Sequence, residues 1–425
     1  MTTFRSIAVA ALTASLALFV SCASNDSKRQ SFNYDVDPAS VGVTAERIAS
    51  LDSLLQSFID TKQMPCVTAF VAKGGDVVYN KSFGMKNLET QAPAEVDDIY
   101  ILFSQTKAVV AVAMMTLVEQ GLVDVEDPVS KWIPDFPSEV LVESEDGTLC
   151  TVPAERPVTI AHLLSHSSGY LAPLTNRHIR ELAQSGEATR APRTSVRENV
   201  DFNKRFPLGF QPGTEWNYNY DMEVIAAIIE IVSGKTLQEY LRETIFEPLG
   251  MDCTAYYFDD ESLKSRFVTT YSKRGDEFVV SRFSNPDGVF KGPKSYAGGT
   301  MGLYGPIEDY AKFCQMLLNG GSFNGKRILK PETIEHMCVN RLPEVNAGGD
   351  GFQFGMGFQV MGGTPSRKEV ESMSSRAFRW GGAAGTEYVI DPDNDLVILY
   401  YISMWGKPDV YDDFLRGAYG LFGLE

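Results

Sequence analysis

Apolar residues recur at helical spacing from Ala45 to Thr61, at Ile48, Leu51, Leu54, Leu55 and Phe58, which predicts an amphipathic opening helix. The period then shortens. Cys66 to Ala72 reads as a strand, Lys73-Gly74-Gly75-Asp76 as a turn, and Val77-Val78-Tyr79 as the start of a partner strand. A long apolar helix is expected over Ser104–Gln120, closed by Gly121. Between about residues 105 and 290 the pattern is helix- and loop-rich, with helices at Met222–Val232, stopped by Ser233-Gly234, and at Leu237–Ile245. Strand patterns return after about residue 295, clearest at Glu387–Ile390 and Leu396–Ile402 around the turn Asp391-Pro392-Asp393-Asn394. A last amphipathic helix covers about 409–422.

Strands at both ends with helices between them predict an α/β (α+β) fold. One antiparallel sheet would be built from both chain ends and flanked by helices, with a mainly helical lobe inserted at about 105–290. A cleft between two such lobes is a usual place for a site. The start of the chain has a different character. Arg5 precedes an apolar stretch, Ile7–Val20, too short to span a bilayer, and Leu18-Phe19-Val20-Ser21-Cys22 resembles a bacterial lipoprotein cleavage box. Residues 1–21 are therefore expected to be a signal peptide, Cys22 a lipidated N-terminus, 22–44 a polar tether and 45–425 the functional body. A plain secretory signal is the alternative. Either way the body is expected to be exported, and with the lipid it is anchored to a membrane and faces the periplasm or the cell surface.

Composition narrows the partners. With 38 Lys+Arg against 55 Asp+Glu the net charge is −17, and no basic block offers an electrostatic footprint for nucleic acid. Cys66, Cys150, Cys253, Cys314 and Cys338 form no Cys-x-x-Cys pair, so buried inert thiols are expected, with room for one or two disulfides in an oxidising compartment. The chain has 4 histidines and none makes a His-Glu-x-x-His helix, so no metal is expected. His162 and His166 lie four apart and could share a helical face. Gly320–Lys326 is followed by Arg327 where a phosphate loop needs Ser or Thr, and Ser233-Gly234-Lys235-Thr236 lacks its first glycine. No cofactor is implied.

The chemistry lies in three short stretches. Ser104 and Lys107 stand at i, i+3, one turn apart on one helix face, and a serine hydroxyl needs a base within hydrogen-bonding reach to act as a nucleophile. The unpaired N–H groups of the first turn would favour developing negative charge. Ser-x-x-Lys alone is a weak pattern, equally read as an N-cap serine with a solvated lysine. The second stretch is Pro212-Gly213-Thr214-Glu215-Trp216-Asn217-Tyr218-Asn219-Tyr220, in which Tyr218 is a candidate second base. The third is Phe378-Arg379-Trp380-Gly381-Gly382-Ala383-Ala384-Gly385-Thr386, whose glycines would let a backbone edge approach a substrate closely.

These residues together resemble the serine β-lactamase-related family, which includes class C β-lactamases, D-peptidases and a branch of esterases. His162–Gly169, Glu247-Pro248-Leu249-Gly250-Met251 and Gly298–Leu303 match it too, and the resemblance runs in order from about residue 45 to 425. It implies that Ser104 is the acyl-accepting nucleophile, Lys107 its activator and Tyr218 the partner general base and acid. The backbone N–H groups of Ser104 and Ala383 would form the oxyanion hole, with Tyr220, Trp380, Gly381 and Gly382 along the substrate. Two departures matter. Tyr220 stands where the family's Tyr-x-Asn triplet has its amide, and Trp380-Gly381-Gly382 replaces Lys-Thr-Gly, removing the ammonium and hydroxyl that meet a β-lactam carboxylate. Arg379 is not expected to replace them, because alternate strand residues point to opposite faces. Trp-Gly-Gly looks like the esterase branch. The reading is therefore a serine hydrolase that cleaves ester or amide acyl groups of a small-molecule or peptide substrate. The alternatives are a β-lactamase or D-peptidase acting on cell-wall-type substrates, and an inactive binding lipoprotein.

Overall fold

A computed structural model describes residues 28–172, 176–184, 191, 193–342, 352–362 and 372–424. The signal-peptide reading and Cys22 lie outside the described residues. Helix α1 spans Ala45–Asp60, and Thr44 accepts the Arg47 N–H at 3.4 Å to cap its start. Strands β1 (Cys66–Lys73) and β2 (Asp76–Asn87) follow as the predicted hairpin. Gly74 and Gly75 at its tip have φ of 57° and 90°, the left-handed pair that a two-residue turn requires.

The main sheet has eight strands. After β3 (Ala92–Pro93), its remaining strands come from the far end of the chain: β4 (Gln353–Phe354), β5 (Gln359–Val360), β6 (Phe378–Gly381), β7 (Thr386–Asp391) and β8 (Leu396–Tyr401). The order is β4-β5-β6-β7-β8-β1-β2-β3, antiparallel throughout, so β1 lies between β2 and a strand more than 300 residues later in sequence. Alternation along β1 sorts its side chains into two cores. Val67, Ala69 and Val71 pack with Leu51, Leu55 and Phe58 of α1 and with Phe414 and Leu415 of the last helix, Tyr411–Gly420. Cys66, Phe70 and Ala72 face the opposite way, into the core of helix α2 (Gln105–Glu119). Every residue of α2 from Gln105 to Leu117 is buried, as a helix clamped between a sheet and a second lobe must be.

The inserted lobe holds helix α3 (Asp221–Ser233), but it is not helical throughout. Two hairpins, Glu139–Glu143 with Leu149–Pro153 and Tyr271–Arg274 with Glu277–Val280, interrupt it. The helix starting at Leu237 passes through a π turn at Arg242–Phe246 and ends only at Gly250, whose φ is 68°. No helix among the described residues is long and apolar enough to cross a membrane. All five described cysteines are free. Burial raises the Cys66 thiol to about 12, whereas Cys150 is exposed, contrary to the expectation of uniformly buried thiols, because its strand lies on the lobe surface.

Residues 28–44, read as part of a tether, lie against the body. The Phe32 ring sits 5.1 Å from that of Phe70 and 5.2 Å from that of Phe323, and Asn33 donates to Asp76 at 2.6 Å. A half-buried aromatic in a polar run is easily passed over in a sequence. Phe32→Ala is expected to destabilise the fold by about 2 kcal/mol, roughly half the cost at a fully buried site. A urea unfolding midpoint unchanged by the substitution would show that this segment contributes nothing.

Candidate active site

Ser104 sits at the mouth of α2, partly exposed, with φ −70° and ψ −9°, and its hydroxyl does not cap the helix. The residue before it carries the strain. Phe103 has φ of 44°, unusual for a side chain of that size, and is held there by its surroundings. Leu102 bonds through its N–H to Leu303 O at 2.9 Å, and the Phe103 ring packs 5.5 Å from Phe283. The first-turn N–H groups of Gln105, Thr106 and Lys107 bond back to the carbonyls of Leu102, Phe103 and Ser104 at 3.1 Å each. The expected free donors of the helix start are thus used within the turn, because the kink at Phe103 folds those carbonyls beneath them.

Lys107 is 2% exposed, and its Nζ donates to Ser104 Oγ at 3.1 Å and to Thr300 O at 3.0 Å. The same nitrogen lies 4.4 Å from the centre of the Tyr218 ring. The three side chains therefore meet, but the phenol presents its face, not its oxygen, to the amine. Tyr218 Oη accepts a hydrogen bond from Trp380 Nε1 at 3.1 Å. Trp380, expected to be only an apolar wall, also holds the phenol, and its indole stands at the position where the resemblance expects an ammonium. Arg379 turns the other way and donates to Gln359 at 3.1 Å, as strand alternation predicts.

The edge carrying Ala383 is pressed against the backbone before Ser104. A Cβ on Gly382 would lie 2.4 Å from Leu102 O and 2.2 Å from Thr386 Oγ1, so only glycine fits. Gly382 is the last residue before an exposed turn at Ala383 that Gly385, with φ of 85°, closes back into β7. On Gly381 a Cβ would lie 1.8 Å from the Glu387 carboxylate, which is buried and paired with Lys407. Tyr220 opens α3, half-buried against the apolar core, and its N–H is taken by Asn219 Oδ1 at 2.9 Å.

The family model described as Beta-lactamase matches residues 51–420. The chain belongs to this family. Beta-lactamase-family members are serine hydrolases, and so is this chain. It is 27% identical over 370 residues to lovastatin esterase of Penicillium rubens, covering 81% of this chain and 90% of that one. It is 25% identical over 403 residues to a putative D-alanyl-D-alanine carboxypeptidase of Escherichia coli K12, covering 90% and 88%. Among solved structures, EstCE1, a hydrolase with promiscuous acyltransferase activity, superposes with a TM-score of 0.73 at 22% identity over 89% of this chain and 99% of that one, a likeness of fold.

Several residues that shape the Beta-lactamase-family site here escaped the sequence reading. Glu223, 2% exposed, accepts from Thr300 N at 3.1 Å, Gly299 N at 3.2 Å and Tyr296 Oη at 3.0 Å, and so positions the Thr300 carbonyl that Lys107 uses. An acid in the first turn of a helix ordinarily signals only the macrodipole. Asp221 accepts from His166 Nδ1 at 2.8 Å and from Ser168, and the His166 ring meets Tyr218 edge to face at 4.7 Å. Asp221 and Glu223 lie outside every stretch that carried the resemblance; only their partners His166, Ser168, Gly299 and Thr300 fall in the His162–Gly169 and Gly298–Leu303 stretches.

Burial holds His166 below the ordinary histidine value, with the nearby Lys107 acting in the same direction and Asp221 opposing. A proton on its buried, unpartnered Nε2 would add a cation beside Lys107. Below about pH 6.5 the unfolded chain takes up that proton while the native state resists, so stability falls as pH drops through this window. His162 and His336, also lowered, act with the same sign. Replacing His166 by Gln is expected to flatten the fall in unfolding free energy between pH 7 and 5, read by denaturant titration at each pH. An unchanged slope contradicts the assignment. Gly382→Ala is expected to slow labelling of Ser104 by a fluorophosphonate about 10²–10³-fold, the usual cost of a misplaced oxyanion donor. Wild-type labelling would place the Ala383 edge outside the site.

Proposed function

We propose that the protein hydrolyses carboxylic esters through an acyl-enzyme on Ser104. The observation that carries this reading is the 3.1 Å contact between Lys107 Nζ and Ser104 Oγ at the mouth of a buried helix. Lys107 acts as the base: the hydroxyl proton passes to its amine as Oγ attacks the ester carbon, and the oxyanion forms against the N–H groups of Ser104 and Ala383. The intermediate collapses, the carbonyl re-forms, and the departing alkoxide takes a proton from the Lys107–Tyr218 pair. Water then attacks the acyl-serine carbon as one of its protons passes to the same pair; the carbon–Oγ bond breaks, the pair returns that proton to Oγ, and the carboxylic acid leaves. Tyr218 is the second proton carrier, its oxygen aligned by Trp380.

Esters are favoured over penicillins because Trp380 fills the place of a carboxylate-binding ammonium and Arg379 is turned to Gln359. A β-lactamase or D-peptidase activity on cell-wall-type substrates is the second reading, supported by the E. coli relative.

Purified protein is expected to turn over a chromogenic acetyl or butyryl ester, with Ser104→Ala at background and Lys107→Ala slowed by about 10²–10⁴-fold while both remain folded. Near-normal rates in Lys107→Ala refute the Ser–Lys assignment. Turnover of a chromogenic cephalosporin in preference to the esters promotes the second reading. No turnover of either, with no phosphonate label on Ser104, overturns the acyl-serine reading.

A further inference from the structure

We propose that Phe283 and Trp405 form an aromatic subsite beside Ser104 that takes an aryl or medium-chain alkyl arm of a neutral ester. The inference rests on the acyl-serine reading and names the substrate class for it. Trp405 is 40% exposed, yet its ring lies 4.3 Å from that of Phe283 and 5.9 Å from that of Phe103. Phe283 in turn meets Phe103 edge to face at 5.5 Å. An exposed indole leaning on two phenyl rings is unusual for a surface that only meets water.

Its mounting ties it to the reacting groups. Met404 N–H bonds Ala384 O at 2.9 Å and Ile402 N–H bonds Gly385 O at 3.0 Å, so the chain leading to Trp405 is fastened to the turn that carries Ala383. Phe103 adjoins Ser104 directly. The three rings therefore bridge the two backbone segments that the acyl-serine reading assigns to the oxyanion. Behind them, Met404–Trp405 pairs in parallel with Tyr271–Ser272, whose hairpin partner is Glu277–Val280, and this small sheet leads straight into Phe283. The hairpin that interrupts the helical lobe thus serves to hold an aromatic ledge.

The charge around the ledge suits a neutral arm. Lys407 is occupied by the buried Glu387, and the Arg282 guanidinium lies over the Phe283 ring with its carbon 4.9 Å from the centroid. Tyr218, whose ring lies over the Lys107 amine, and Trp380 supply a second aromatic face, with ring centroids 5.2 Å apart. A flat or extended apolar arm loses water against these faces, and the gain grows with its buried area.

Two ester series test this: acetate to octanoate on one alcohol, and methyl to benzyl alcohols on acetate. In the wild type, kcat/KM is expected to rise along at least one of them. Trp405→Ala and Phe283→Ala should each reduce the ratio of the most apolar to the least apolar member of that series by about tenfold, the scale on which a hydrophobic contact discriminates. Trp405→Phe should restore most of the ratio, which a merely structural effect of truncation would not explain. Wild-type ratios kept in both variants, or no preference along either series in the wild type, overturn the subsite while Ser104-dependent turnover leaves the acyl-serine reading standing. Turnover that survives Ser104→Ala overturns that reading, and the subsite with it.

Discussion

A lysine amine almost completely removed from water is the constraint around which the site is arranged. Burying a polar group without hydrogen-bond partners costs about 1–3 kcal/mol. Lys107 is supplied with two, the Ser104 hydroxyl and the Thr300 carbonyl, and with the face of Tyr218. Each of these must itself be held. Thr300 is fixed by Glu223, and the loop before it can approach α3 only because Gly299 has no side chain, since a Cβ there would lie 1.8 Å from Met222 O. Tyr218 is fixed by Trp380 at its oxygen and by His166 at its ring. One buried amine therefore accounts for residues from four distant parts of the chain.

The fold was legible where side-chain periodicity reports burial directly. β1 alternates between two cores and α1 presents one apolar stripe, so both could be read within a residue or two of their ends. The closure of the sheet by strands from the far end followed from the order of elements. The lobe was less legible. Its hairpins are short and largely exposed, as Leu149–Pro153 is, and carry no alternation against a core. The π turn at Arg242–Phe246 keeps a helical pattern, so only its hydrogen bonds reveal it.

The three side chains that meet at the candidate site were legible in the sequence, and the residues that hold them in place were not. Ser104, Lys107 and Tyr218 carry their chemistry in their residue types. Glu223 and Asp221 do not, because an acid near a helix start is ordinary until its burial is known. The strained backbone at Phe103 gives no sequence sign at all: nothing in a phenylalanine asks for a positive φ, and packing against Phe283 and Trp405 imposes it.

Trp380 joins these two levels. As a departure from Lys-Thr-Gly it first marks a loss, an ammonium removed from the crevice wall. In place it becomes a donor, because an indole carries one N–H at the rim of a large apolar surface and that N–H reaches Tyr218 Oη. A hydrogen bond donated to the phenol oxygen fixes the direction in which that oxygen points. Set against the Lys-Thr-Gly of the resemblance, Trp380 thus exchanges a long-range cation for a short directional contact that orients the phenol while leaving the wall apolar.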